Sequence, residues 1–226
     1  MKDNFIHVVF VIDTSGSMSD SVKSVEDGYK ETVQEQRKNK EGSCSVSLFT
    51  FGSTVTEHYV GKDINDPVID QFKYYTEGCT AMNDGIGTAI DKVGNWLDSM
   101  KEEEKPSQVM VVIMTDGGEN ASREYSLDKV KDMIKHQEEK YSWKFIYIGS
   151  DLKDKRGSSA LGIKTSVYTG KFGGGIKKNF NLVNCSLSAY RNADASEAKA
   201  VMDTYMEKEA DNLTTEYETQ IGHKIS

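Results

Sequence analysis

Cysteine and proline are scarce in this chain, and long apolar runs are missing. Cys44, Cys79 and Cys185 are odd in number, far apart and form no C-x-x-C pair. That excludes a disulfide framework and a cysteine-built zinc site, and it fits reduced thiols. No stretch approaches the roughly 18–20 apolar residues of a membrane span. The opening MKDNFIHVVFVID holds only a short apolar run with no small-residue cleavage site, unlike a secretory leader. A cytoplasmic protein without a membrane segment is the expectation. Basic residues are outnumbered 28 to 36, for a formal net charge of −8 over 226 residues. There is thus no polybasic footprint for nucleic acid, and the acidic surface favours cations or basic partners. HExxH, GxSxG and paired His/Cys sets are absent, and His7, His58, His136 and His223 are scattered, so the common hydrolytic signatures are missing. His7, inside the first strand, reads as a packed residue.

What is present alternates. FIHVVFVID (5–13) is a near-continuous apolar run, as expected of a strand covered on both faces. Val22, Val25, Tyr29 and Val33 then recur at helical spacing. CSVSLFTFG (44–52) and TVTEHYVG (54–61), split at Gly52-Ser53, predict a hairpin and one antiparallel edge strand. Asp66-Pro67 marks the start of a short helix. After the polar loop YYTEGCTAMNDG (74–85), Ile86, Ile90, Val93 and Leu97 make a long amphipathic helix. SQVMVVIMTDGG (107–118), a helix through Val130 and Ile134, WKFIYIG (143–149), a short helix, GIKTSVYT (162–169) and a helix through Ile176, Phe180, Val183 and Leu187 complete the series. GKFGGGIKKN (170–179) does not match the phosphate-loop pattern and reads as a flexible link. The whole predicts an α/β domain with a mostly parallel, doubly wound sheet and helices on both faces.

From Asp194 the composition changes. Eight acidic residues stand against Lys199 and Lys208 over 194–221, while Ala198, Met202, Met206, Ala210, Leu213, Tyr217 and Ile221 keep a sparse helical stripe. We divide the chain into a domain at 1–193 and an acidic helical extension at 194–226. A helix packed on its own domain, a partner-binding helix and a disordered tail all fit that composition. Oligomeric state is not legible.

Ligands of doubly wound sheets bind at the carboxyl ends of strands, near the reversal of strand order. Asp13 ends the first strand, Asp116 ends the most apolar one, and Thr80 lies in the loop before the long helix. The spacing D-x-S-x-S puts Asp13, Ser15 and Ser17 on one turning segment. Two carboxylates and three hydroxyls suit a small hard cation, Mg²⁺ or Mn²⁺, which takes about six oxygens. An outside carboxylate would complete that shell, giving binding without bond chemistry. The competing explanation of Asp13–Ser17 is a helix N-cap.

These segments carry a resemblance. DTSGSM (13–18), GCTAMNDGI (78–86) and TDGG (115–118) resemble the three segments of a von Willebrand factor A domain, and the likeness spans about residues 5–190. It implies a Rossmann-like fold of that type and a metal-ion-dependent adhesion site at Asp13, Ser15, Ser17, Thr80 and Asp116. It also implies a protein partner presenting a carboxylate, and no enzymatic activity. TAMNDGIGTAI and YSWKFIYIGSD further resemble small bacterial and phage members, including proteins linked to tellurite resistance. Cys79 stands where glycine is common and Gly85 where alanine is expected; neither removes an oxygen donor. Asp84 has three readings: helix cap, acceptor for a metal-bound water outside the first ligand shell, or direct ligand. Glu119 and Asn120 follow TDGG closely and have two readings, residues that shape the rim of the site and, the favoured one, solvated surface residues. Two alternatives remain. One is a scaffold assembling through the acidic C-terminal helix. The other is a Mg²⁺-dependent hydrolase of the haloacid dehalogenase type, against which Ser15 stands where a second aspartate is needed.

Overall fold

The computed structural model describes residues 1–150, 155–170 and 174–225. Its centre is a six-stranded sheet in the order β3-β2-β1-β4-β5-β6. The strands are β1 (Lys2–Asp13), β2 (Ser43–Phe51), β3 (Val55–Asp63), β4 (Pro106–Thr115), β5 (Lys144–Gly149) and β6 (Thr165–Tyr168). All neighbouring pairs are parallel except β2–β3, which is antiparallel and puts β3 at one edge. The helices are α1 (Val22–Lys38), α2 (Met82–Asp98), α3 (Leu127–Tyr141), α4 (Lys155–Leu161), α5 (Gly175–Asn192) and α6 (Ala198–Ile225). Of the expected glycine-rich link, Lys171, Phe172 and Gly173 lie outside the described residues.

Strand alternation splits the core in two. Val8, Phe10 and Ile12 of β1, with Met110, Val112 and Met114 of β4, face α1, α5 and α6. Val9 and Val11, with Val111 and Ile113, face α2, α3 and α4. Being covered on both sides explains why these strands read as unbroken apolar runs. The hairpin loop is Gly52, Ser53 and Thr54, closed by Gly52 N–H donating to Thr54 O at 3.0 Å. Asp66 caps the predicted short helix by accepting from Val68 N at 3.0 Å.

The chain winds from β1 outward to β2 and β3, then returns to place β4 on the other side of β1. The reversal therefore falls between β1 and β4, and their carboxyl ends frame a crevice. At the far edge, α6 packs on α5 and β6, burying Ala198, Met202, Met206 and Ala210 completely. Thr214 Oγ1 accepts from the Tyr168 N–H of edge strand β6 at 3.2 Å. Lys144 bonds Glu207 at 3.0 Å and Lys178 bonds Glu216 at 2.6 Å, so part of the tail's acidity is matched within the molecule. No helix among the described residues is long and apolar enough to cross a membrane.

Candidate cation site at the β1–β4 crevice

Register sets the first contact. Ile12 lies opposite Met114, so the residues one step on, Asp13 and Thr115, end their strands side by side. Asp13 is fully buried. Its Oδ1 accepts from Ser15 N at 2.7 Å, and its Oδ2 accepts from Thr115 Oγ1 at 2.6 Å. Burial pushes the Asp13 pKa up, the bonds from Thr115 and Ser15 pull it down, and the charge of Asp116 pushes it up again. Among the described residues, no lysine or arginine contributes to that balance. A buried carboxylate without a cationic partner is costly.

The next segment turns outward. Ser15 and Ser17 flank Gly16 at the start of a short 3-10 turn (Gly16–Ser21), yet Ser15 makes no capping bond. Capping therefore does not account for the Ser15 hydroxyl. Instead Ser15 Oγ and Ser17 Oγ share a hydrogen bond of 3.0 Å, and Ser17 Oγ donates to Asp116 Oδ1 at 2.5 Å. Residues 17 and 116, on separate connections, thus meet directly.

Thr80 is brought in by backbone clamps. Asn120 Oδ1 accepts from Thr80 N at 2.9 Å, and Asn120 N donates to Thr80 O at 3.0 Å. A Cβ built on Gly117 would lie 3.4 Å from Thr80 Oγ1 and 3.7 Å from Ser17 Oγ. Both hydroxyls therefore line the space that glycine leaves open. The loops beneath are laced together: Gly16 N donates to Gly78 O at 3.1 Å, Glu77 N to Thr14 O at 2.7 Å and Ala81 N to Gly52 O at 2.8 Å. The Tyr74 hydroxyl donates to Asp13 O. Burial, then the charges of Asp13 and Asp116, hold its pKa above the usual range.

Asp84 stands one step back, 8% exposed. Its Oδ2 accepts from Arg123 N at 2.8 Å, and its Oδ1 from Glu124 N and Tyr125 N at 2.9 and 2.8 Å. In this structure it fastens the loop that follows β4 to the first turn of α2. Glu119 and Asn120 are not simple solvated rim residues. Glu119 accepts from Ala121 N, Ser122 N, Ser122 Oγ and Asn83 N between 2.7 and 2.9 Å. Asn120 is exposed but holds Thr80 from both sides. The sequence reading missed Thr115 as well. The signal for Thr115 is its place beside Asp13 once β1 and β4 are paired.

The donors suit a hard cation. In an octahedral shell with bonds of about 2.1 Å, neighbouring oxygens are about 3.0 Å apart, which is the Ser15–Ser17 separation of 3.0 Å. No group of three or more His, Cys, Asp or Glu arranged for a metal occurs among the described residues. A site here thus depends on hydroxyls as much as on carboxylates.

The sequence profile of the von Willebrand factor type A domain matches residues 7–168. Comparison with curated protein sequences yields no match. Among solved structures, the vWF domain of the type V pili tip protein Mfa5 from Porphyromonas gingivalis is similar, with a TM-score of 0.62 at 11% identity over 84% of this chain and 97% of that one. Proximal thread matrix protein 1 from the mussel byssus, in a form with a zinc-occupied MIDAS motif, gives 0.56 at 20% identity over 80% of this chain and 46% of that one. The PilB minor pilin from Streptococcus sanguinis gives 0.57 at 14% identity over 82% and 62%. This chain spans about half the length of the mussel protein. At these identities the likeness is one of fold.

Proposed function

The chain belongs to the von Willebrand factor type A domain family, and from that premise we propose that it is a divalent-cation-dependent binding module for a protein partner that presents a carboxylate. The cation is Mg²⁺ or Mn²⁺, held by Asp13, Ser15, Ser17, Thr80 and Asp116. The observation that carries this reading is the fully buried Asp13 carboxylate, which has no basic partner among the described residues and sits beside a Ser15 hydroxyl that makes no capping bond.

The residues divide the work. Asp13 and Asp116 supply charge. Ser15, Ser17 and Thr80 supply neutral oxygens, which favour Mg²⁺ or Mn²⁺ over metals that prefer nitrogen or sulfur. Thr115 and the Ser15 amide fix Asp13, and Asn120 fixes Thr80, so the donors are held before anything binds. When bound, the cation supplies an electrophilic position for an oxygen anion. Three of the five donors are neutral, so little of that electrophilicity is quenched. The partner's carboxylate is then the natural last ligand. No residue is placed here as a nucleophile or general acid, and Ser15 occupies the position where a dehalogenase-type phosphatase needs a carboxylic acid.

Thermal melts of the full chain with Mg²⁺, Mn²⁺ or EDTA test the reading. A ligand at 100 times its Kd stabilises by about 2.7 kcal/mol, so saturating Mg²⁺ is expected to raise Tm by several degrees. Asp13→Asn keeps most of the buried hydrogen bonding and is expected to lose the Mg²⁺ response. If the parent protein shows no response to either cation, the reading fails.

A further inference from the structure

Resting on the cation reading, we propose that the partner segment runs from the cation rim into the polar groove between β3 and residues 72–77, and that it carries a second acidic side chain, which meets Lys73. Thr14 and Tyr74 join the groove to the site. Thr14 follows Asp13 directly, and the Tyr74 hydroxyl is bonded to the Asp13 carbonyl. Thr50, Thr54, Thr56 and His58 form the sheet-side wall, and Lys73 and Tyr75 stand across from them. The exposed Glu77 lines the end toward Thr14, so the cationic position in the groove is Lys73 alone.

Three features make this more than a gap between elements. First, the β2–β3 register slips between Leu48↔Tyr59 and Phe49↔Glu57, so His58 is the extra residue of a bulge. Strand alternation already puts His58 on the face of Thr56, and the bulge leaves it without a direct cross-strand partner. There its Nε2 and Thr50 Oγ1 are 3.0 Å apart, and its ring meets the Phe72 ring edge-on. Partial burial lowers the His58 pKa. Second, Thr50 and Thr56 are direct cross-strand partners; the Thr50 hydroxyl is buried against His58, and the exposed Thr56 hydroxyl is the one open to an extended peptide. Third, Lys73 forms no ion pair among the described residues, and neighbouring Tyr75 is 64% exposed. An ammonium and an open aromatic beside a cation site fit a segment with more than one carboxylate.

A degenerate peptide library with one fixed Asp and three random positions on each side tests this, panned on the full chain in Mg²⁺ and in EDTA. The expected result is Mg²⁺-dependent capture with Asp or Glu enriched at least threefold at one position on one side of the fixed Asp. Lys73→Glu is expected to replace that enrichment by Lys or Arg while capture stays Mg²⁺-dependent. If capture needs Mg²⁺ but no second acidic position emerges, or Lys73→Glu leaves the profile unchanged, the groove proposal is overturned and the cation reading stands. If capture is indifferent to Mg²⁺, or absent, both fall.

Discussion

Single atoms decide the candidate site, and Gly117 is the clearest case. Its missing side chain leaves the space bordered by the Thr80 and Ser17 hydroxyls. Gly117→Val puts two methyl groups there without deleting a donor. Its backbone angle is not in the left-handed region, so the substitution carries no special strain. We expect at least a tenfold loss of Mg²⁺ affinity, about 1.4 kcal/mol, with stability in EDTA near that of the parent; calorimetric titration and a melt separate the two. His7 is a residue-scale case away from the site. It is fully buried between Ser45 Oγ at 2.7 Å and Ser47 Oγ at 2.9 Å, and burial lowers its pKa from 6.5 to about 3. Unfolded chains therefore take up this proton through a window in which the folded protein does not. Stability is full above about pH 6.5 and falls as pH drops toward 3, with a loss of about 2 kcal/mol by pH 5. Urea melts at pH 7 and pH 5 are expected to show a difference of that size between the parent and His7→Asn. The residues that converge at the crevice were legible because their side-chain chemistry and strand-end positions are written in DTSGSM, GCT and TDGG. Thr115 was not, because its role exists only once β1 and β4 lie in register.

Among elements, the loop after β4 illustrates what sequence patterns conceal. Glu119, Asn120 and Ser122 look like solvated loop residues, yet they bind backbone and side-chain groups of residues 80–84 and of their own loop. Polar side chains bonded to backbone leave no periodic trace, unlike the apolar spacing that marked α2, α3 and α5. Asp84 is the pivot of this loop, accepting three amides through two oxygens. Asp84→Ala strands those amides, at a cost of about 1–3 kcal/mol. Hydrogen exchange is expected to accelerate at Arg123, Glu124 and Tyr125 first, while β4 stays protected. Cation affinity should weaken less than in Asp13→Asn, because Asp84 acts through the loop's position. Unchanged exchange at those three amides would refute the clamp. Strands and helices, by contrast, were legible almost to their ends, since burial on both faces forces unbroken apolar runs and burial on one face forces a stripe.

At the scale of the molecule, the sheet has two edges, and they are treated differently. β3 carries charged and polar side chains such as Glu57 and Lys62 on its exposed flank, a common guard against edge pairing. β6 is short, and α6 lies over it, with Thr214 meeting the Tyr168 amide. Composition marked α6 as an acidic extension but left its partner open, because the stripe of Met202, Met206 and Leu213 is too sparse to say what it covers. In the structure that stripe faces α5 and β6, and Tyr217 lies within van der Waals reach of Gly170. Burying a methionine contributes about 1.5–3 kcal/mol, so Met202 and Met206 alone match a large part of the roughly 5–15 kcal/mol that holds a domain folded. We therefore expect a chain ending at residue 193 to unfold at markedly lower urea and to self-associate through its bared edge and apolar face. Light scattering across a concentration series reads the association, and a charged substitution on β6, Ser166→Lys, is expected to suppress it without restoring stability. A truncated chain that stays monomeric and as stable as the parent would show that α6 guards nothing, and would return the acidic helix to the role of a free assembly surface.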